Sequence, residues 1–335
     1  MELTERMLSS TVGNNHMPEL MTIGVDVGGT KVAAGLVDST GQIIQKARVP
    51  MVATADAATG FAAVKGAVEA LFALAPEART AIKGIGICSP GPLDPRTGVV
   101  LNPPNVPCWR NFPLGAETER AFGAPTKVDN DANAAGLAEA LWGAAAGHSN
   151  VFYATLGTGI GTGIIFDGKI YWGRTGSAGE GGHTTIDYKG PKCGCGKRGC
   201  VEILCSGPAI ALRARAKISA SPVATKVLEL AGGAVDEVKA EHIGEAFHAG
   251  DALATEVLEE TADLLTVWLG NVVDWFDPEI MVIGGGVAQL MSSLFDRMRQ
   301  NLPGWAINPR ANEIPLVLAR YSADAGIAGA AALCR

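Results

Sequence analysis

Four side chains in one short run could hold a metal ion. The segment from Glu180 to Glu202 reads E-G-G-H-T-T-I-D-Y-K-G-P-K-C-G-C-G-K-R-G-C-V-E, in which His183, Cys193, Cys195 and Cys200 offer one imidazole and three thiolates. That is the Cys3His donor set of a closed structural zinc site. Gly, Lys, Arg and Pro fill the gaps, so tight turns can fold the three sulfurs onto one ion. Lys192, Lys197 and Arg198 lie beside the thiols and favour their ionised form. Three of the seven cysteines fall in this run, which argues for a metal rather than chance or a disulfide. Cys205 is a competing fourth sulfur. Glu180 and Glu202 bracket the knuckle with carboxylates.

Two glycine turns suggest anion binding. Thr22 to Lys46, T-I-G-V-D-V-G-G-T-K-V-A-A-G-L-V-D-S-T-G-Q-I-I-Q-K, is a β-meander broken at Gly28-Gly29 and at Ser39-Thr40-Gly41. The glycine pair permits φ > 0, so N–H groups of the turn can converge on an anion. Asp26 ends the first strand facing that turn. Asn150 to Gly173 repeats the pattern with a Gly157-Thr158-Gly159 turn. One such turn alone is ordinarily a plain hairpin, but a meander repeated about 130 residues later is a duplication. A strand rather than a helix follows the glycines, which sets aside a Rossmann site, and no Walker A sequence occurs.

The candidate for proton transfer lies in Lys127 to Gly143, K-V-D-N-D-A-N-A-A-G-L-A-E-A-L-W-G. A brief strand ends at Val128-Asp129, and the Ala-rich run that follows favours helix. Asn130 and Asp131 therefore stand at a strand-to-helix junction, where either could simply be the N-cap. A carboxylate there also suits a general base, because the positive end of the helix holds it ionised at neutral pH.

Other elements must position these groups. Ala55 to Leu74 and Ala252 to Phe276 have helical periodicity, and Lys83 to Cys88 and Glu279 to Ile283 read as buried strands. Ser206 to Ala249 carries helical patches but no motif. Ala323 to Leu333 is an Ala/Gly-rich helix expected to pack closely on the first sheet. With 335 residues the length suits about two domains. A hydrophobic fraction of 47% with 18% charged residues describes a globular protein, and a net charge of −7 speaks against a nucleic-acid surface. No apolar run reaches the roughly 18 residues of a membrane span. Residues 1–20 lack a signal-peptide core and read as a loose extension. Cysteines held by a metal fit a reducing cytoplasm.

The run C-G-C-G-x-x-G-C-x-E, preceded by E-x-x-H, resembles the signature of the ROK family of sugar kinases and sugar-responsive repressors. N-D-A-N-A-A resembles that family's catalytic segment, and the paired meanders resemble the ATP-binding fold of actin and hexokinase. Spanning Thr22 to Leu333, the resemblance implies an α/β protein with a two-domain actin-like (RNase H-like) fold around a cleft. A small domain at 21–126 would be completed by a C-terminal helix at about 321–335, and a larger one at 127–320 would carry the knuckle at 183–200.

The same resemblance implies roles. His183, rather than Cys205, would be the fourth zinc ligand and would bridge to the sugar. Asp131 would take the proton of the sugar 6-hydroxyl, while Asn105, Asn130, Glu180, His183 and Glu202 hold the sugar. Asp26, Gly28, Gly29, Thr30 and Lys31 would form the first phosphate loop, with Asp26 an outer partner of magnesium. Gly157, Thr158 and Gly159 would form the second, and Gly284, Gly285 and Gly286 would underlie the adenosine of ATP. Both glycine turns are expected to lie away from the knuckle. The implied activity is ATP-dependent phosphorylation of the 6-hydroxyl of glucose, by a cytoplasmic homodimer or homotetramer without nucleic-acid or membrane partners. Mannose, fructose, N-acetylmannosamine and N-acetylglucosamine are alternative acceptors. A sugar-sensing repressor would carry an added DNA-binding domain, for which the roughly 20 residues before the first strand are too few.

Overall fold

Alternation of side chains sets up the first sheet. The computed structural model describes residues 21–221 and 224–335, so the extension expected at 1–20 lies outside the described residues. In β1 (Met21–Val27), Ile23, Val25 and Val27 enter a core with Leu36, Leu71 and Ile85. β1 pairs antiparallel with β2 (Lys31–Val37), which pairs with β3 (Ile43–Pro50), while β4 (Ile82–Ser89) runs parallel to β1. A short ribbon of β5 (Leu93–Asp94) and β6 (Val99–Val100) follows, and β7 (Thr126–Asn130) joins parallel to β4.

The second sheet repeats the first. β8 (Val151–Leu156), β9 (Ile160–Phe166) and β10 (Lys169–Ile170) form its meander, and β11 (Ile280–Gly284) and β12 (Leu316–Leu318) add in parallel. The orders β3-β2-β1-β4-β7 and β10-β9-β8-β11-β12 are equivalent, so the duplication extends through both mixed five-stranded sheets.

Two helices of small residues lie between the sheets. Helix Ala325–Ala332 packs on β1 and β4, and helix Asp131–Leu141 packs on that helix and on β8 and β9. The approach is backbone to backbone. A Cβ on Gly24 would sit 1.9 Å from the Ile327 carbonyl oxygen, one on Gly86 1.7 Å from that of Ala330, and one on Gly163 2.6 Å from that of Ala132. Close approach thus accounts for the Ala and Gly content of this layer. Gly86→Ala is expected to cost about 3 kcal/mol, because a backbone carbonyl cannot move aside as a flexible side chain can. A urea melt checks this.

β7 alters the expected division of the chain. It pairs with β4 from Ile85↔Thr126 to Ser89↔Asn130, so a boundary between 126 and 127 would cut through a strand. The hydrogen-bond ladder holds the first unit together through Asn130. Helix Ala57–Leu74 also departs from expectation. At 18 residues and mean hydropathy 1.4 it is long and apolar enough to cross a membrane, yet its Val64, Val68, Leu71 and Phe72 are packed in the first core. The second core gathers Phe152, Ile164 and Met281 against Trp268 and Leu269 of helix Ala252–Phe276.

Candidate active site

The end of β7 fixes the proton-transfer candidate. Asn130, not Asp131, is the N-cap: its side-chain oxygen accepts from the N–H of Ala132 at 2.9 Å and of Asn133 at 3.3 Å. Asp131 is the first helical residue, exposed to solvent, and its carboxylate accepts from the Ala132 N–H at 2.8 Å. The helix start was expected to hold this carboxylate ionised. It stays mostly ionised at pH 7, although crowding by surrounding protein raises its pKa to about 6 against the pull of the Ala132 N–H, with the charges of Asp26 and Glu180 adding to the rise. Water reaching the exposed side chain screens part of this shift. Beneath it, Asp129 accepts from the Asn130 N–H at 2.7 Å, from Asn133 Nδ2 at 3.0 Å and from Trp172 Nε1 at 2.7 Å, which locks the segment.

Asp26 faces the same region. Its carboxylate accepts from Cys88 Sγ at 3.4 Å and packs on Gly326, where a Cβ would lie 2.4 Å from the carboxyl carbon. Burial raises its pKa, opposed by Cys88 and by the charges of Lys31 and Arg48.

The glycines serve close approach more than unusual φ. Gly28 N–H donates to the Lys31 carbonyl at 3.0 Å, and Thr30 and Lys31 are exposed. Neither Gly28 nor Gly29 has positive φ, contrary to expectation. A Cβ on Gly29 would instead meet the Asn105 carbonyl oxygen at 2.7 Å. That contact sets the Asn105 loop beside the first turn, where Trp109, wholly buried and stacked on Phe112 at 5.3 Å, anchors it. In the second turn Gly157 N–H donates to the Gly159 carbonyl at 2.9 Å. Of Gly284, Gly285 and Gly286, only Gly285 has positive φ, at 89°.

A cavity of about 600 Å³ joins Gly157, Thr158 and Gly286 to Gly207, Arg215 and Lys239. The last three come from the stretch read as carrying no motif. Arg215 Nη2 donates to the Val238 carbonyl at 2.7 Å, and Gly207 N–H to the Gly157 carbonyl at 2.8 Å. Their one local signal is Ser206-Gly207-Pro208, a helix start with proline in its first turn. A larger cavity of about 780 Å³, between β7 and β10, shares none of these residues and contains none of the candidate side chains. A small pocket of about 40 Å³ brings Asn130 and Glu180 together with Asn133, whose buried Oδ1 has no hydrogen-bond partner among the described residues.

In the knuckle, a ring nitrogen of His183 and the sulfurs of Cys193, Cys195 and Cys200 lie within 4.8 Å of one another and could hold a metal ion. Cys205 lies outside the cluster, wholly buried in the second core, where burial pushes its thiol up to about 12. The Lys197 N–H lowers the Cys195 thiol, whereas burial and the neighbouring sulfurs hold Cys200 above the ordinary range. The knuckle and the second glycine turn, expected apart, touch. Glu202 Oε2 accepts from the Ile160 N–H at 2.9 Å, and Oε1 lies 3.8 Å from His183 Nδ1.

A model of the ROK family matches residues 22–335. A glucokinase of Streptomyces coelicolor is 35% identical over 319 residues, covering 94% of this chain and 98% of that protein. An N-acetylmannosamine kinase of Citrobacter koseri is 33% identical over 316 residues, covering 94% and 99%. The solved structure of a ROK family glucokinase from Streptomyces griseus, in complex with glucose and AMPPNP, is similar with a TM-score of 0.79 at 36% identity, over 93% of this chain and 98% of that one. Matched from its first strand to its last helix, the chain belongs to the ROK family.

Proposed function

We propose that the protein transfers the γ-phosphoryl group of ATP to the 6-hydroxyl of glucose. The observation that carries this reading is Asp131, a carboxylate at a helix start whose pKa is lifted to about 6. A base with its pKa near the working pH is the effective one for proton transfer. The relatives support the same reading, through the glucokinase at 35% identity and the Streptomyces griseus enzyme in complex with glucose and AMPPNP. N-acetylmannosamine is the second reading, favoured by the kinase at 33% identity.

In this reading Asp131 accepts the 6-hydroxyl proton as the oxygen attacks the γ-phosphorus in line. Asn130 has its oxygen committed to the helix cap, which leaves Nδ2 to donate to a hydroxyl. Asn105, Glu180, His183 and Glu202 hold the remaining hydroxyls. The turns at Gly28, Gly29, Thr30 and Lys31 and at Gly157, Thr158 and Gly159 present N–H groups to the phosphates. The adenosine lies over Gly284, Gly285 and Gly286, beside Arg215 and Lys239. Asp26 suits an outer partner of magnesium, which when bound neutralises charge on the transferring phosphates.

His183, Cys193, Cys195 and Cys200 would hold zinc. Tetrahedral bonds of about 2.3 Å to sulfur and about 2.0–2.1 Å to nitrogen set neighbouring donors roughly 3.6–3.8 Å apart. Two of the separations here are 3.6 Å, for Cys195 to Cys200, and 3.7 Å, for Cys193 to His183, and all four donors lie within 4.8 Å of one another. All four positions would then be filled by protein, so the ion fixes the loop and takes no part in transfer.

A panel of glucose, mannose, fructose, N-acetylmannosamine and N-acetylglucosamine, with ATP, magnesium and coupled detection of ADP, tests the proposal. Glucose is expected to exceed the others by about tenfold or more in kcat/KM, the scale of one well-read substituent. Turnover with none of them would overturn the kinase reading, and a preference for N-acetylmannosamine would replace glucose.

A further inference from the structure

We propose that Glu202 is a positioning residue for the second phosphate loop as well as a sugar ligand, so that the knuckle also supports the nucleotide side of the cleft. This rests on the reading of the cleft as a site for ATP and sugar.

The two stems of the knuckle grip the two peptide units that flank one residue, Ile160. From the C-terminal stem, helix Val201–Cys205 sets Glu202 Oε2 2.9 Å from the Ile160 N–H. From the N-terminal stem, Gly182 lies against the carbonyl of the same residue, where a Cβ would fall 2.0 Å from the oxygen. Gly181 N–H donates to Thr162 Oγ1 at 3.0 Å, one step further along β9 on the same face. The stems are tied to each other by Val201 N–H donating to the Thr184 carbonyl at 2.9 Å and by the bridge between Thr185 and Cys200.

Ile160 is the residue that follows the Gly157-Thr158-Gly159 turn, so holding its peptide holds the turn. Gly159 is matched to this arrangement, because a Cβ there would lie 2.7 Å from Glu202 Oε2. A carboxylate accepting from a backbone N–H makes a stronger bond than a neutral acceptor would. A carboxylate that served only the sugar would need neither this bond nor the missing Cβ.

The test is nucleotide affinity with no sugar present. Binding of AMPPNP is measured by calorimetry on wild type, Glu202→Ala and Glu202→Gln, with circular dichroism and metal content checked on each preparation. Glu202→Ala is expected to weaken AMPPNP about tenfold, the scale of one lost charge-assisted hydrogen bond. Glu202→Gln is expected to stay within about threefold of wild type, because the amide oxygen can still accept from Ile160, while both variants lose sugar affinity. Glu202→Ala binding AMPPNP as well as wild type, or more tightly, would overturn the proposal and leave Glu202 a sugar ligand alone. Wild type failing to bind AMPPNP would instead overturn the reading of the cleft itself, and this proposal with it.

Discussion

Asp131→Ala is expected to bind sugar and nucleotide yet lose turnover by roughly 10²–10⁴-fold, the contribution of a positioned general base. A variant that kept more than about a tenth of wild-type kcat would remove Asp131 from that role. The pH profile gives a second reading of the same group. The base works when ionised, so activity falls as pH drops through its pKa. With that pKa raised above 3.8, and part of the shift screened by water, the acid limb of kcat/KM is expected above 4 and at or below about 6, and it should vanish from the residual rate of Asp131→Asn. Stability carries the matching sign. Between 3.8 and about 6 the folded chain binds more protons than the unfolded one, so the fold loses stability as pH rises through that window and recovers none above it. Asp131→Asn is therefore expected to melt above wild type at alkaline pH, and to lose that advantage below the unfolded pKa.

The second large effect is expected at the knuckle. Cys200→Ser replaces a donor that is wholly buried at the foot of the helix carrying Glu202. Loss of the ion should free both stems and raise the sugar KM by roughly 10–100-fold, as when support for a bound group is removed. The KM for ATP should rise as well, by a smaller factor, because Glu202 on the N–H of Ile160 and Gly182 on its carbonyl hold that residue only while the stems are clamped. Metal analysis and both Michaelis constants on one folded preparation decide it. A folded, metal-free variant with normal constants would reduce the knuckle to a staple.

Much of the site could be read along the chain because its chemistry is local in sequence. His183, Cys193, Cys195 and Cys200 announce themselves by type and spacing. The two meanders show through because alternation and glycine turns are short-range signals. What escaped is set by groups far apart. Asn130 and Asp131 both suit an N-cap, and only the geometry at the end of β7 assigns the cap to Asn130. The helix start explains a carboxylate ionised at neutral pH, but the rise of the Asp131 pKa to about 6 comes from surrounding protein and from Asp26 and Glu180, remote in sequence. The Gly28-Gly29 pair reads as a turn of positive φ, whereas the constraint on Gly29 is Asn105, and that on Gly159 is Glu202, both far along the chain. Arg215 and Lys239 sit in a stretch without a motif and reach the cavity beside Gly157 and Gly286 only through the fold.

Helix Ala325–Ala332 has a consequence for how the chain is made. It covers the face of the first sheet that carries Gly24 and Gly86, yet Gly24 and Ile327 are separated by about 300 residues. At roughly 5–20 residues per second, a ribosome needs roughly 15–60 s to cover that distance. Throughout this interval Ala33 and Val37 lack Ile327 and Ala331, and Cys88 lacks Ala330 and Leu333. The second core, drawn from Phe152 to Leu316, has emerged in full before then. Nascent chains should therefore close their second half first, and the earliest-made sheet should be the last surface to leave a chaperone.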